Sequence, residues 1–102
     1  MIGENLLSAP RRSRMEVKID ILQAIAGGSG RPTHIMYRSN LSWAVMRGVM
    51  KSLEQQGLVI ASDVEGRRNY VLTERGRKVL ETYRTVKTQL ESVPVLIQTG
   101  TN

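Results

Sequence analysis

The chain has 102 residues, enough for one small domain and a short extension, and 40% of them are hydrophobic. It has no Cys and a single His, which excludes disulfides and thiolate metal sites and leaves His34 without partners for a metal unless carboxylates or a second chain supply them. The 15 Lys and Arg against 9 Asp and Glu, eleven of the 15 being Arg, fit either a polyanionic partner or a basic, soluble surface.

The chain opens on "MIGENLLSAPRRSR", where the charges follow a very short apolar stretch. That order is wrong for a signal peptide. Residues 1–13 are expected as a flexible basic arm, with Arg11, Arg12 and Arg14 at its end. No apolar run approaches the length of a membrane span, so a cytoplasmic, nucleoid location is expected.

Residues 14–26, "RMEVKIDILQAIA", alternate at first through Met15, Val17, Ile19 and Ile21, which is a strand pattern. Leu22, Ala24, Ile25 and Ala26 break the alternation. Met15, Ile19, Leu22 and Ala26, with Ile21 and Ile25 beside them, instead fit one face of a helix, and "GGSG" at 27–30 stops it. A second, short helix follows in "RPTHIMYRSN", with Pro32 at its start and Thr33 as its expected cap. Ser42 then caps a longer helix that runs to about Gln56, and Gly57 ends it.

In "LVIASDVEGRRNYVLT", Leu58 and Ile60 precede a turn near Glu65-Gly66, and Tyr70 and Leu72 follow it. This predicts a two-stranded hairpin over 58–72 with Arg67 and Arg68 near its tip. Thr73 caps a last helix that Pro94 ends, with Gly76 in the first turn, where a glycine costs a helix least. Residues 94–102 are expected as a loose tail.

A short helix, a tight turn and a longer helix make a helix-turn-helix, and a basic hairpin directly after it makes a wing. The expected fold is α+β, mostly α: a winged helix-turn-helix of three helices and a two-stranded wing over 14–73, then a helix over 74–93.

Three segments, "THIMYRSNLSW" at 33–43, "LEQQGLV" at 53–59 and "YVLTERGRKVLETY" at 70–83, resemble small archaeal winged-helix DNA-binding proteins, nucleoid-associated or regulator-like. The similarity spans roughly residues 11–90. It implies a homodimer that joins through a C-terminal coiled coil and binds duplex DNA without catalysis.

Charge placement agrees with a nucleic-acid partner. No acid occurs between Asp20 and Glu54, whereas Arg31, Arg38, Arg47 and Lys51 do. Residues 67–78 hold Arg67, Arg68, Arg75, Arg77 and Lys78 against Glu74 alone.

Each helical residue turns roughly 100°. On the helix after Ser42, Met46, Val49, Met50 and Leu53 share a core face. Ala44, Arg47, Gly48 and Lys51 gather on the other side, with Trp43 on the boundary. A helix in a major groove needs its backbone near the base edges, which Ala44 and Gly48 permit. Close packing of another helix, or drift, would also account for Gly48.

Arg47 is the candidate base reader, with a phosphate contact or a solvated face as the alternative. Lys51, Arg31 and Arg38 are candidate phosphate contacts, as is His34 at the second helix's start, and Thr33, Ser42 and Trp43 complete the candidate DNA-binding residues. His34 is otherwise a local hydrogen-bonder. Arg67 and Arg68 reach the minor groove or backbone, or simply keep a hairpin tip soluble.

Val79, Tyr83, Val86, Leu90 and Val93 are spaced 4, 3, 4, 3, an a/d seam for a second copy or a cover for the domain's own core. With no carboxylate cluster and no Gly-rich phosphate loop after a strand, no enzyme, cofactor or small-molecule ligand is expected. The alternative function is a protein-interaction subunit of a larger nucleic-acid-handling complex.

Overall fold

The computed structural model describes residues 12–92. Arg11, Val93 and Pro94, with the arm before Arg12 and the tail, lie outside the described residues. Among the described residues, four helices and one hairpin follow in chain order: α1 (Arg14–Ala26), α2 (Pro32–Ser39), α3 (Trp43–Gln55), β1 (Val59–Val64), β2 (Arg67–Leu72) and α4 (Glu74–Glu91). No helix among the described residues is long and apolar enough to cross a membrane.

Side-chain caps set the starts of α1, α3 and α4. Ser13 opens α1 with a reciprocal capping box: its hydroxyl accepts from Glu16 N at 3.0 Å and the Glu16 carboxylate accepts from Ser13 N at 2.7 Å. Ser42 caps α3 and Thr73 caps α4. The exception is α2, where Thr33 is not the cap. Arg31 holds that place without a side-chain bond, and Pro32 follows as the first helical residue, where its missing N–H costs nothing.

The first three helices end alike. Just past each of them one residue adopts a left-handed backbone, at Gly28 (φ 102°), Asn40 (φ 56°) and Gly57 (φ 74°). The amide one step further donates back to the last turn, Ser29 to Ala24 O, Leu41 to Met36 O and Leu58 to Leu53 O, at 2.9, 3.1 and 3.0 Å.

The core is built without Phe. Ile21, Leu22, Ile35, Met46 and Leu53 are its fully buried side chains, and each contributes about 1.5–3 kcal/mol. On α1 the buried set is Ile19, Ile21, Leu22, Ala24 and Ile25. The face expected through Met15 and Ala26 is therefore shifted, since both of those are exposed. Tyr70 and Leu72 of β2 and Leu80 of α4 close the core from the far side.

β1 and β2 pair antiparallel from Val59↔Leu72 to Val64↔Arg67. Glu65 (φ 55°) and Gly66 (φ 77°) form a two-residue turn with both φ positive, which matches the twist of the strands.

Two close approaches lock the hairpin to the helices. Tyr70 N donates to Gly30 O at 2.8 Å, and a Cβ on Gly30 would overlap Tyr70 O and Asn69 Oδ1. A Cβ on Gly76 would overlap Leu58 O, so α4 rests its backbone directly on the strand entry. Thr73 ties the same junction. Its hydroxyl donates to Gly57 O at 2.6 Å, and its amide donates to Leu58 O at 3.0 Å.

Arg12 is held against the fold rather than lying in a free arm. Its guanidinium donates to Asp20 Oδ2 at 2.8 Å, Ser39 O at 2.7 Å and Asn40 O at 2.9 Å. Arg14 is the first residue of α1.

Candidate nucleic-acid interface

Ser42 fixes where α3 begins, because its hydroxyl accepts from Val45 N at 3.2 Å. From that start, Met46, Met50 and Leu53 turn inward and are buried, with Val49 half-buried beside them. Ala44, Arg47, Gly48 and Lys51 face outward and are exposed, as the angular count requires. A Cβ placed on Gly48 meets nothing within 4 Å, and the Ala44–Gly48 strip opens on a shallow hollow that Arg14 and Val17 of α1 border. Close intrachain packing does not explain this glycine.

Trp43 is 46% exposed and stands at the border between the two faces. It lines a cleft of about 250 Å³ between α3 and the hairpin. Met46 and Met50 form the floor, Arg47, Lys51 and Glu54 line the α3 side, and Arg68 and Tyr70 line the β2 side. Three cations and one carboxylate line this opening.

The alternation of the hairpin decides which Arg enters the cleft. Arg68 lies on the same face as Tyr70 and Leu72, opposite Asp63 in the register. Its Nη1 donates to the Tyr70 hydroxyl at 3.4 Å. That bond, with smaller contributions from Glu54 and Asp63, raises the Arg68 pKa above its ordinary value. Arg67 adjoins the turn opposite Val64 and points to the other face. The two arginines therefore do not act from one tip: Arg67 extends outward and Arg68 joins α3.

On α2, Thr33 and His34 are exposed in the first turn, and Arg31 is half-buried at the cap. Arg38 shares a shallow hollow with Asp20, Gln23 and Ala24 and so leans over α1. Tyr37, which is 76% exposed, is not among the contacts expected from sequence. Its place four residues after Thr33, opposite the buried Ile35, is the signal that marks it as an outward aromatic.

The far side of the molecule carries a second surface. Val79 and Val86 are exposed, Leu90 is 80% exposed, and Tyr83 is half-buried against the core. With Met15 and Ile19 of α1 they line an apolar groove of about 500 Å³. Leu80 and Leu72 cover the domain's own core, which leaves this seam uncovered among the described residues. Met15 joins it from α1 and is 63% exposed, a contribution the spacing of α4 alone does not reveal.

Comparison with known proteins places this architecture. The winged helix-turn-helix family pattern matches residues 11–91. No functionally curated protein matches the sequence.

Among solved structures, a mutant of S. aureus MepR superposes with a TM-score of 0.69 at 17% identity, over 74% of this chain and 59% of that one. This chain thus spans less than two thirds of that protein. Sso10a-2, a DNA-binding protein from Sulfolobus solfataricus, is similar with a TM-score of 0.60 at 23% identity, over 79% of this chain and 87% of that one. The homodimeric winged helix-turn-helix DNA-binding domain of Mb0332 from Mycobacterium bovis gives 0.68 at 19% identity, over 92% and 82%. At these identities the likeness is one of fold. With the family pattern covering most of its length, the chain belongs to the winged helix-turn-helix family.

Proposed function

We propose that the protein binds double-stranded DNA as a homodimer, without catalysis, as a transcription regulator or a chromatin protein. The observation that carries this reading is the outer face of α3. Two exposed small residues, Ala44 and Gly48, share this face with Arg47 and Lys51, with open space above the glycine. Such a face lets a helix backbone approach base edges in a major groove while cations flank it.

The cleft beside α3 suits the sugar-phosphate strand that runs between a recognition helix and a wing. Lys51 and Arg68 take phosphate there, and Trp43 packs on sugar. Arg47 reaches the bases. Arg67 extends to the next groove, and Arg31, Thr33, His34 and Arg38 contribute along α2, with Tyr37 added to them. DNA-binding neighbours of the same fold support the reading. Val79, Tyr83, Val86 and Leu90 are the proposed dimer seam, because an apolar groove of this size needs a cover; Val93, next in the sequence spacing, lies outside the described residues.

Selection of bound duplexes from a random DNA pool tests both halves. A sharp consensus identifies a regulator, and tight binding without one identifies a chromatin protein. Absence of duplex binding at low salt refutes the proposal.

A specific observation favours the second reading, a protein-interaction subunit. The outer face of the hairpin presents Ile60, Val64 and Val71, all exposed and apolar, with Ile60 directly opposite Val71. A stable hetero-complex that is lost on Ile60→Lys, in a protein that binds no duplex, selects this reading instead.

A further inference from the structure

The structure assigns Arg12 as a positioning residue for the recognition helix, one that sets DNA affinity without touching DNA. This inference rests on the DNA-binding proposal above.

Arg12 lies two residues before α1, yet its fork spans three groups from two elements. It reaches Asp20 on α1 and the carbonyls of Ser39 and Asn40 at the end of α2. Those carbonyls belong to the turn of the helix-turn-helix. Asn40 stands there in a left-handed conformation, and Ser42, two residues on, is the cap that starts α3.

A guanidinium on the last carbonyls of a helix is favourable for the C-terminal dipole, and the second carbonyl makes the contact directional. The fork therefore sets the height of the turn above α1. Through the turn it sets where Trp43, Ala44 and Arg47 enter a groove. All three bonds are made within the chain, and the charge of Arg12 is paired with Asp20 in a partly exposed ion pair.

The test compares Arg12→Ala and Arg12→Lys with the wild-type chain, measuring duplex affinity over a salt series and thermal stability. Lys keeps the charge but has no planar fork to join two carbonyls and a carboxylate. The expected result is that both variants bind roughly tenfold more weakly, the size of one misplaced base contact, with an unchanged salt slope. If Lys restores binding and Ala lowers the slope by about 0.9, Arg12 is a phosphate contact and the inference fails. If both variants melt earlier but the folded protein binds as the wild type does, the role is structural only and the inference fails. Failure of the wild-type chain to bind duplex overturns the DNA-binding proposal itself, which separates the two outcomes.

Discussion

Gly48 offers the sharpest separation of stability from binding. A glycine inside a helix costs about 1 kcal/mol relative to Ala, and a methyl at this position meets no neighbour within 4 Å. Gly48→Ala is therefore expected to stabilise the free protein by nearly that amount. In a domain of this size the shift is about 4–8 °C in Tm, read by thermal denaturation at one fixed protein concentration.

Leu has almost the same helix propensity as Ala, so Gly48→Leu should keep most of the gain. It also places a bulky side chain between Ala44 and Lys51, where the proposed groove approach needs clearance. Duplex affinity, read by fluorescence anisotropy, should fall at least about tenfold for the Leu variant, comparable to losing one base contact. A Leu variant that is more stable and binds duplex as tightly as the wild type refutes the need for clearance.

Three further outcomes follow from the structure. Gly76→Ala should destabilise by about 1–3 kcal/mol or more in chemical denaturation, because its methyl would overlap the Leu58 carbonyl; an unchanged midpoint would show that the close approach is not there. Arg47→Ala should cost about 1–3 kcal/mol of duplex affinity and flatten the base preference in a selected pool, whereas a loss equal on all sequences would place Arg47 on phosphate. Val86→Glu with Leu90→Glu should convert a dimer to a folded monomer in sedimentation equilibrium, and a dimer that survives both changes moves the interface off α4.

Much of the fold is written in local signals. Ser42 and Thr73 as caps, Gly57 as a stop and Glu65-Gly66 as a turn each act within a few residues, so their placement follows from sequence spacing. The Ser13–Glu16 capping box is equally local and marks the start of α1 at Arg14, the boundary the spacing sets between arm and domain. Thr33 has the chemistry of a cap, but Pro32 claims the first helical position and pushes the cap back to Arg31.

What spacing does not reveal depends on long-range geometry. Gly76 resembles a glycine merely tolerated in a first turn until Leu58 is found against it, and Gly30 resembles a helix stop until Tyr70 pairs with it. The fork of Arg12 spans 28 residues to Asn40, a distance at which periodicity carries no information.

For the site, the outer face of α3 is legible from angle alone, including the border place of Trp43. The split between Arg67 and Arg68 is not, since it needs the register of the hairpin.

If the α3 face and the adjoining wing form a duplex-binding surface driven by phosphate contacts, duplex affinity must depend steeply on salt, and that dependence is the most direct measurement. Each neutralised phosphate contributes about 0.9 to the slope of log K against log salt, so four or more cations per protomer predict a slope steeper than about −3. The slope should become shallower by about 2 when Lys51 and Arg68 are both changed to Ala. A slope near zero, or one unaltered by that double change, would contradict a phosphate-driven interface on this face.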